Sequence, residues 1–404
     1  MSTATKINPA HRTKRITYAV RDIVVLANEV AKTGKEMLYL NIGDPNQFDF
    51  ETPRHIVEAI CQAMLANQNG YSPSSGIKPA IQAVEKEAHH KGIRNVLDLF
   101  ITTGASEAIE ICLTALVNAG ENVLIPEPGY PLYNAILAKL DTVENPYYLD
   151  EANGWQPNLQ DIASKINDKT RAIVVINPNN PTGSVCDVET LQGLIRLAHR
   201  HNLVIFADEI YDKMILDGKK HVSTASLDPD VSCVTFNGLS KSYVAPGFRI
   251  GWGIVSGNET RMRDYIEAIN KILRARLCAN HPIQHGIAAA LGANQEHFKD
   301  VIPRLVQRRD ITVERLNAIP GISCVRPEGA FYAFPRLYIE ESDEDFVKEL
   351  IRATGVVVVP GAGFGQVPGT HHFRVVFLPP ENVLEKAFDQ IGRFMSDWQK
   401  RHGR

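Results

Sequence analysis

The chain is 404 residues long with a formal net charge of −3, 44% hydrophobic and 22% charged residues. That composition supports a sizeable core and about two or three domains, and it offers no basic field to hold a nucleic-acid backbone. No apolar run reaches the length of a membrane span. Cys61, Cys112, Cys186, Cys233, Cys278 and Cys324 are far apart and form no CxxC pair. They read as small hydrophobes in a reducing compartment, with no structural zinc and a cytoplasmic location. Lys6, Arg12, Lys14 and Arg15 precede the first acid, Asp22. This is a weak organelle-targeting pattern beside the simpler reading of a disordered cytosolic arm.

In chain order, Ile23, Val24, Ala27 and Val30 form an apolar helical stripe, and 38–45 is a short extended segment closing on Gly43, Asp44 and Pro45. Residues 53–67 read as a helix with Ile56, Ile60, Ala63 and Met64 on one face. A Gly- and Ser-rich loop follows at 69–76, and then a helix at 78–90. From 97 to 255 strands and helices alternate: strands at 99–103, 122–126, 172–176, 203–207, 231–236 and 250–255, and helices at 105–117, 130–140 and 188–201. Short, nearly all-apolar strands alternating with helices predict an α/β fold with a mostly parallel sheet. Residues 260–318 read as one or two long helices broken near Pro282. Strands at 322–325, 330–334, 356–359 and 373–377, with helices at 343–353 and 380–399, suggest a separate, smaller α+β lobe. The expected organisation is an N-terminal arm and small-domain segment at 1–50, a large α/β domain at 51–290 and a C-terminal α+β domain at 291–404.

Ligands of such sheets bind beyond the carboxyl ends of the strands. After the first strand stand Gly104, Ala105 and Ser106, either a phosphate seat at a helix start or a plain turn and cap. After the second stands Tyr130, either a ring that stacks on a flat heterocycle or a packing aromatic. After the third come Asn177, Pro178, Asn179, Asn180, Pro181, Thr182 and Gly183. Two prolines and a glycine in seven residues make a rigid loop suited to holding the Asn180 amide in one orientation. Asp208 ends a fully apolar strand, so it either caps a helix starting at Glu209 or pairs with a cation such as a protonated pyridine nitrogen. Tyr211 follows as a phenol donor. Lys241, between Ser240 and Ser242, follows the turn signal Asn237-Gly238, and Arg249 comes eight residues later. An exposed loop lysine is the ordinary reading. A buried one costs several kcal/mol unless neutralised, and suits a Schiff base with an aldehyde cofactor. A phosphate seat, a stacking ring, an oriented amide, a carboxylate, a phenol and a lysine at successive strand ends are improbable as coincidence.

This set resembles the class I/II aminotransferases, pyridoxal-5′-phosphate enzymes of fold type I, from about residue 20 to the C-terminus. The resemblance implies a large domain with a seven-stranded-type, mostly parallel sheet and a smaller α+β domain. It implies that Lys241 forms the aldimine, that Asp208 meets the pyridine nitrogen, and that Tyr211 and Asn180 contact the ring oxygen. Tyr130 would stack on the ring, and Gly104, Ala105, Ser106 and Arg249 would hold the phosphate. Tyr71 matches a tyrosine reaching the phosphate of the neighbouring subunit, which implies a homodimer with shared sites. Arg374 and Gly43 match contacts to the substrate, Arg374 at the α-carboxylate, where a planar fork suits better than lysine. Many members carry a phosphate-binding serine three residues before the lysine; here that position is Gly238, with Ser240 a substitute.

Within the family, 40–45, 206–213, 237–241 and 276–280 resemble bacterial and archaeal alanine aminotransferases. The implied reaction is a ping-pong transamination between L-alanine and 2-oxoglutarate, giving pyruvate and glutamate, with no nucleic-acid or membrane partner. The alternatives are an aminotransferase for aspartate, aromatic or branched-chain substrates, or a β-lyase on the same scaffold. A sensor-type regulator would need a DNA-binding domain before the fold, where only about 20 residues stand, and no GxGxxG follows a strand to support a nicotinamide dehydrogenase. Arg276 and Arg326 are both open as a second carboxylate-binding arginine.

Overall fold

The structure is a computed structural model that describes residues 7–16 and 19–403, with the backbone alone for 19–22. Lys6 of the basic N-terminal pattern lies outside the described residues. The central sheet has eight strands in the order Val96–Thr102, Gly251–Ser256, Cys233–Gly238, Val204–Asp208, Thr170–Ile176, Asn122–Glu127, Val143–Asp150 and Gln156–Pro157. The five neighbours from Cys233–Gly238 to Val143–Asp150 run parallel. Gly251–Ser256 runs against both of its neighbours. The two-residue strand Gln156–Pro157 pairs antiparallel at the far edge and raises the expected seven strands to eight. Val143–Asp150 was not among the expected strands, because it lies near the edge with Val143 and Glu144 in solvent, so its sequence lacks the apolar run of an inner strand.

The inner strands bury both faces. Ala172, Val174 and Ile176 join Phe206 and Phe236 in a core covered by helices Ala105–Leu116 and Glu259–Arg276. Ile173 and Val175 point the other way, into a core shared with helices Lys78–His90, Val188–His201 and His281–Gly292. This alternation is the period of two of a β-strand, and each such side chain is worth about 1.5–3 kcal/mol relative to exposure. Local signals fix helix ends. In Val188–His201, Asp187 accepts from the Thr190 amide, three basic residues fill the last turn, and Asn202 closes it in the left-handed region.

The 260–318 region forms three helices, Glu259–Arg276, His281–Gly292 and Phe298–Asn317, not one or two. The first ends at Leu277, whose φ is +82°, and Pro282 occupies the first turn of the second. Met64 is 42% exposed rather than part of the buried face of Arg54–Leu65. Asn237 and Gly238, read as a turn, are still strand; the Asn237 amide donates to the Glu209 carbonyl at 2.9 Å.

A second core gathers helices Asp343–Thr354 and Glu381–Arg401 and one face of Phe298–Asn317 around short antiparallel strands, with Phe346, Phe394 and Trp398 packed edge to face. The expected strand 356–359 is split. Val356–Val357 pairs in parallel with Leu38–Tyr39, and Val359–Pro360 pairs with His371–Val376. The N-terminal segment therefore enters this core before it crosses to the sheet. Among the described residues no helix is long and apolar enough to cross a membrane.

Candidate active site

A cavity of about 370 Å³ opens where the strand ends meet the second core. Five strands that run the same way, Val96–Thr102, Asn122–Glu127, Thr170–Ile176, Val204–Asp208 and Cys233–Gly238, deliver the residues at their C-terminal ends to one edge. Gly251–Ser256 runs back, so the residues before it, Arg249 among them, reach the same edge. Gly43, Ala105, Ser106, Tyr130, Asn180, Asp208, Tyr211, Ser240, Lys241, Arg249 and Arg374 all line the cavity. Gly104 sits directly behind Arg249. Tyr71 does not reach the cavity of its own chain and is 83% exposed.

Lys241 is half-buried, and its Nζ donates to the Gly43 carbonyl at 2.8 Å. Desolvation is the main cause of a pKa lowered from 10.5 to about 8; Asp44 opposes the shift and the Arg374 and Arg249 charges assist it. This lysine is not the solvated loop residue of the ordinary reading. Near neutral pH an appreciable fraction of it is the free amine.

Asp208 is fully enclosed. Burial raises its pKa to about 6, against the hydrogen bonds from the Ile210 amide (3.3 Å) and the Tyr133 hydroxyl (3.2 Å) that favour the anion. No helix starts at Glu209, so the helix-cap reading of Asp208 fails; residues 210–213 form turns. Glu209 is anchored behind the cavity by Lys91 (3.2 Å), the Ser223 hydroxyl (2.8 Å) and the Thr224 amide (3.1 Å), which fixes the backbone that carries Asp208 and Tyr211.

The Asn-Pro loop is rigid for a visible reason. Asn179 Oδ1 accepts from the Thr182 amide and hydroxyl, and Asn177 Oδ1 accepts from the Cys186 amide. Asn180 is left to face the cavity, where its Oδ1 accepts from Arg374 Nη1 at 3.2 Å. Arg374 is 6% exposed; its Nη2 donates to the Asn41 carbonyl at 3.0 Å, and its guanidinium lies 4.6 Å from the Phe364 ring and 4.8 Å from the Tyr332 ring. Tyr211 and Tyr332 share a hydrogen bond at 2.9 Å, and burial raises the Tyr211 pKa well above its ordinary value.

At the start of helix Ala105–Leu116, Gly104 has φ +80°, and a Cβ there would lie 2.5 Å from Arg249 Nη2. Arg249 donates to Ser106 Oγ at 3.2 Å and to the Pro246 carbonyl at 2.9 Å. Open helix amides, a hydroxyl and a guanidinium converge there, a setting for an anion such as a phosphate. Gly238 has a reason to be glycine, since a Cβ there would lie 2.6 Å from the Ile250 carbonyl oxygen. Ser240, two residues on, lines the cavity instead.

Tyr332, Phe364, Tyr133 and Asn41 belong to the site and were not singled out in the sequence. Tyr133 had a signal, as it stands three residues after Tyr130. Phe364 and Tyr332 had none, because they arrive from short C-terminal segments. Arg276 pairs with Glu107 and the Ser74 and Ile101 carbonyls, and Arg326 pairs with Asp310; neither lines the cavity.

The family model described as aminotransferase class I and II matches residues 35–391. The glutamate-pyruvate aminotransferase AlaA of Haemophilus influenzae is 42% identical over 93% of this chain and 94% of its own. The alanine aminotransferase of Mycobacterium tuberculosis is 43% identical over 91% of this chain and 87% of its own. The solved alanine aminotransferase from Pyrococcus furiosus superposes with a TM-score of 0.94 at 38% identity, covering 96% of this chain and all of that one.

Proposed function

The chain belongs to the class I and II aminotransferase family and is an aminotransferase, and on that premise we propose that it exchanges the amino group between L-alanine and 2-oxoglutarate on pyridoxal 5′-phosphate. The observation that carries the reading is the meeting, in one cavity, of a lysine lowered to about 8 and a buried carboxylate raised to about 6, with Arg374 beside them. The names of relatives 42–43% identical over nine-tenths of the chain support alanine as the donor.

The residues present fit that cofactor. A carboxylate raised to about 6 gains from a cationic partner, which a protonated pyridine nitrogen is. Gly104, Ala105, Ser106 and Arg249 fit its phosphate, Ser240 stands next to them, and Tyr130 offers a ring to stack on. When bound, the cofactor supplies an aldehyde for the amino group and a conjugated ring that withdraws electrons. Arg374 binds the substrate α-carboxylate through its fork, backed by Asn180, with Gly43 closing the N-terminal side. Lys241, as the neutral amine, would take the proton from the substrate Cα and deliver it to the cofactor carbon that keeps the nitrogen, so that Cα leaves as the carbonyl carbon of the 2-oxo acid. Tyr211, itself bonded to Tyr332, and Asn180 hold the phenolic oxygen. The Phe364 and Tyr332 rings cover Arg374 and thin the water around it, which strengthens its hold on an anion.

Exposed Tyr71 supports a homodimer in which each protomer completes the other's phosphate seat, and the free-thiol pattern supports a cytoplasmic enzyme. The test is a half-reaction titration of the purified holoenzyme, following cofactor absorbance with L-alanine, L-glutamate, L-aspartate, L-valine or L-tyrosine and no acceptor. Alanine and glutamate convert the cofactor to its amine form and the others barely do. A strong preference for a bulky or aromatic donor overturns the substrate; no cofactor band after reconstitution overturns the cofactor.

A further inference from the structure

We infer that His372, with Gln366 and Glu151, is a positioning group that sets the pose of Arg374 and its roof Phe364. The inference rests on the reading that Arg374 takes the substrate α-carboxylate. His372 is 2% exposed and lies two residues before Arg374 on strand His371–Val376, so both side chains leave the same face. An apolar side chain would fill such a place at less desolvation cost. Instead both ring nitrogens are engaged, Nδ1 with Gln366 Oε1 at 2.9 Å and Nε2 with Glu151 Oε2 at 3.3 Å.

The direction of the bond to Gln366 follows from Asp343. Its carboxylate is acceptor-only when ionised, and it accepts from Gln366 Nε2 at 2.7 Å and from the Ala362 amide at 2.9 Å. The Gln366 amide nitrogen is thereby committed to Asp343, its oxygen faces His372, and His372 Nδ1 donates. Asp343 and Gln366 grip the short helix Gly361–Phe364 at both ends, and the Gly129 amide holds the Phe364 carbonyl at 2.8 Å. At Gly361 a Cβ would lie 2.8 Å from His372 Cβ, so this segment rests directly on the histidine.

A second route is aromatic. The His372 ring stacks on Phe334 with centroids 4.8 Å apart and planes within 4°. Phe334 meets Phe364 edge-on at 6.1 Å, and Phe364 lies 4.6 Å from the Arg374 guanidinium. Trp155 lies edge-on beside this stack, 5.5 Å from His372 and 5.8 Å from Phe334, and Arg336 engages Glu151 at 3.1 Å. Displacing the imidazole therefore moves Phe364 by two paths, and Phe364 cannot move without changing the environment of Arg374.

The test is steady-state kinetics of the holoenzyme variants His372→Asn, His372→Gln and Gln366→Leu, with Arg374→Lys as reference. The asparagine amide nitrogen stands near the place of Nδ1 and keeps the donor to Gln366; the glutamine amide reaches toward Glu151 and loses it. His372→Gln and Gln366→Leu are expected to raise KM for L-alanine, L-glutamate, pyruvate and 2-oxoglutarate alike by roughly 5- to 10-fold. The four share only the α-carboxyl end, so a common shift reports on Arg374. In these variants kcat stays within about 3-fold, with cofactor absorbance unchanged, while His372→Asn stays within about 2-fold of wild type in KM. Wild-type KM in Gln366→Leu overturns the inference. So does a joint fall of kcat, cofactor occupancy and melting temperature in all three variants, which marks a purely structural role. If Arg374→Lys itself leaves every KM unchanged, the carboxylate reading has failed, and the positioning inference falls with it.

Discussion

Asp208→Asn separates the stability of the site from its function. In the cofactor-free protein the carboxylate is enclosed, with the Tyr133 hydroxyl and the Ile210 amide as its hydrogen-bond donors among the described residues, and its pKa rises from 3.8 to about 6. Below pH 3.8 the group is protonated in both the folded and unfolded chains and costs nothing. Between those values the folded state keeps a proton that the unfolded state has released, so stability falls as pH rises. Above about 6 the full penalty is present, about 3 kcal/mol from the size of that shift. Asparagine is nearly the same shape. Its oxygen accepts from the Ile210 amide, and its nitrogen can donate to the Tyr133 hydroxyl, which accepts as well as donates. The cofactor-free variant is therefore expected to be more stable than wild type at pH 8 by about 2–3 kcal/mol, and the gap should close toward pH 4. Denaturant unfolding of the two proteins at both pH values measures it. Turnover of the reconstituted variant should fall at the same time, because a neutral amide does not hold a protonated ring nitrogen. A cofactor-free Asp208→Asn protein no more stable than wild type at pH 8 would refute the reasoning about burial.

Lys241→Ala should remove proton transfer at Cα and cost at least about 10²–10⁴-fold in turnover; multiple turnovers at the wild-type rate would end the assignment. With its pKa lowered to about 8, Lys241 in the cofactor-free protein should label with an amine-reactive reagent along a curve centred near pH 8, while exposed lysines follow a curve near their ordinary value. Peptide mass spectrometry across pH 6–11 reads both. Gly104→Ala combines a left-handed φ with a Cβ 2.5 Å from Arg249 Nη2. It should weaken cofactor binding by about 10-fold or more and also lower the melting temperature of the cofactor-free protein, because the backbone strain of roughly 1–3 kcal/mol remains even when the exposed Arg249 side chain swings away. Equilibrium dialysis against pyridoxal phosphate checks it.

Much of the fold was legible because its inner strands are buried on both faces. Residues 172–176 and 204–207 are continuous apolar runs, and the break after each is polar. Where the environment is half solvent the signal failed: Val143–Asp150 carries a glutamate, an asparagine and a proline, and Met64 turned outward from a stripe that looked uniform. The site split in the same way. Lys241, Asp208, Asn180 and Arg249 each stand beside a strand end, so local position announced them. Tyr332, Phe364 and His372 come from short C-terminal segments, and nothing in their own neighbours in the sequence points to the sheet.

The sequence by itself determined the alternation of strand and helix, the edge at which a ligand is met, and the residue types gathered there, because these follow from periodicity and from the cost of ending a buried strand in a charge. Only the tertiary structure decided how charged those residues are and how Arg374 is held. The lowering of Lys241 and the raising of Asp208 are effects of dehydration by residues distant in the chain. Arg374 acquires its roof only when Phe364 is brought over it by packing that runs through Phe334 and His372. A pKa and an orientation are properties of an enclosure, and the enclosure exists only once segments far apart in the chain have met.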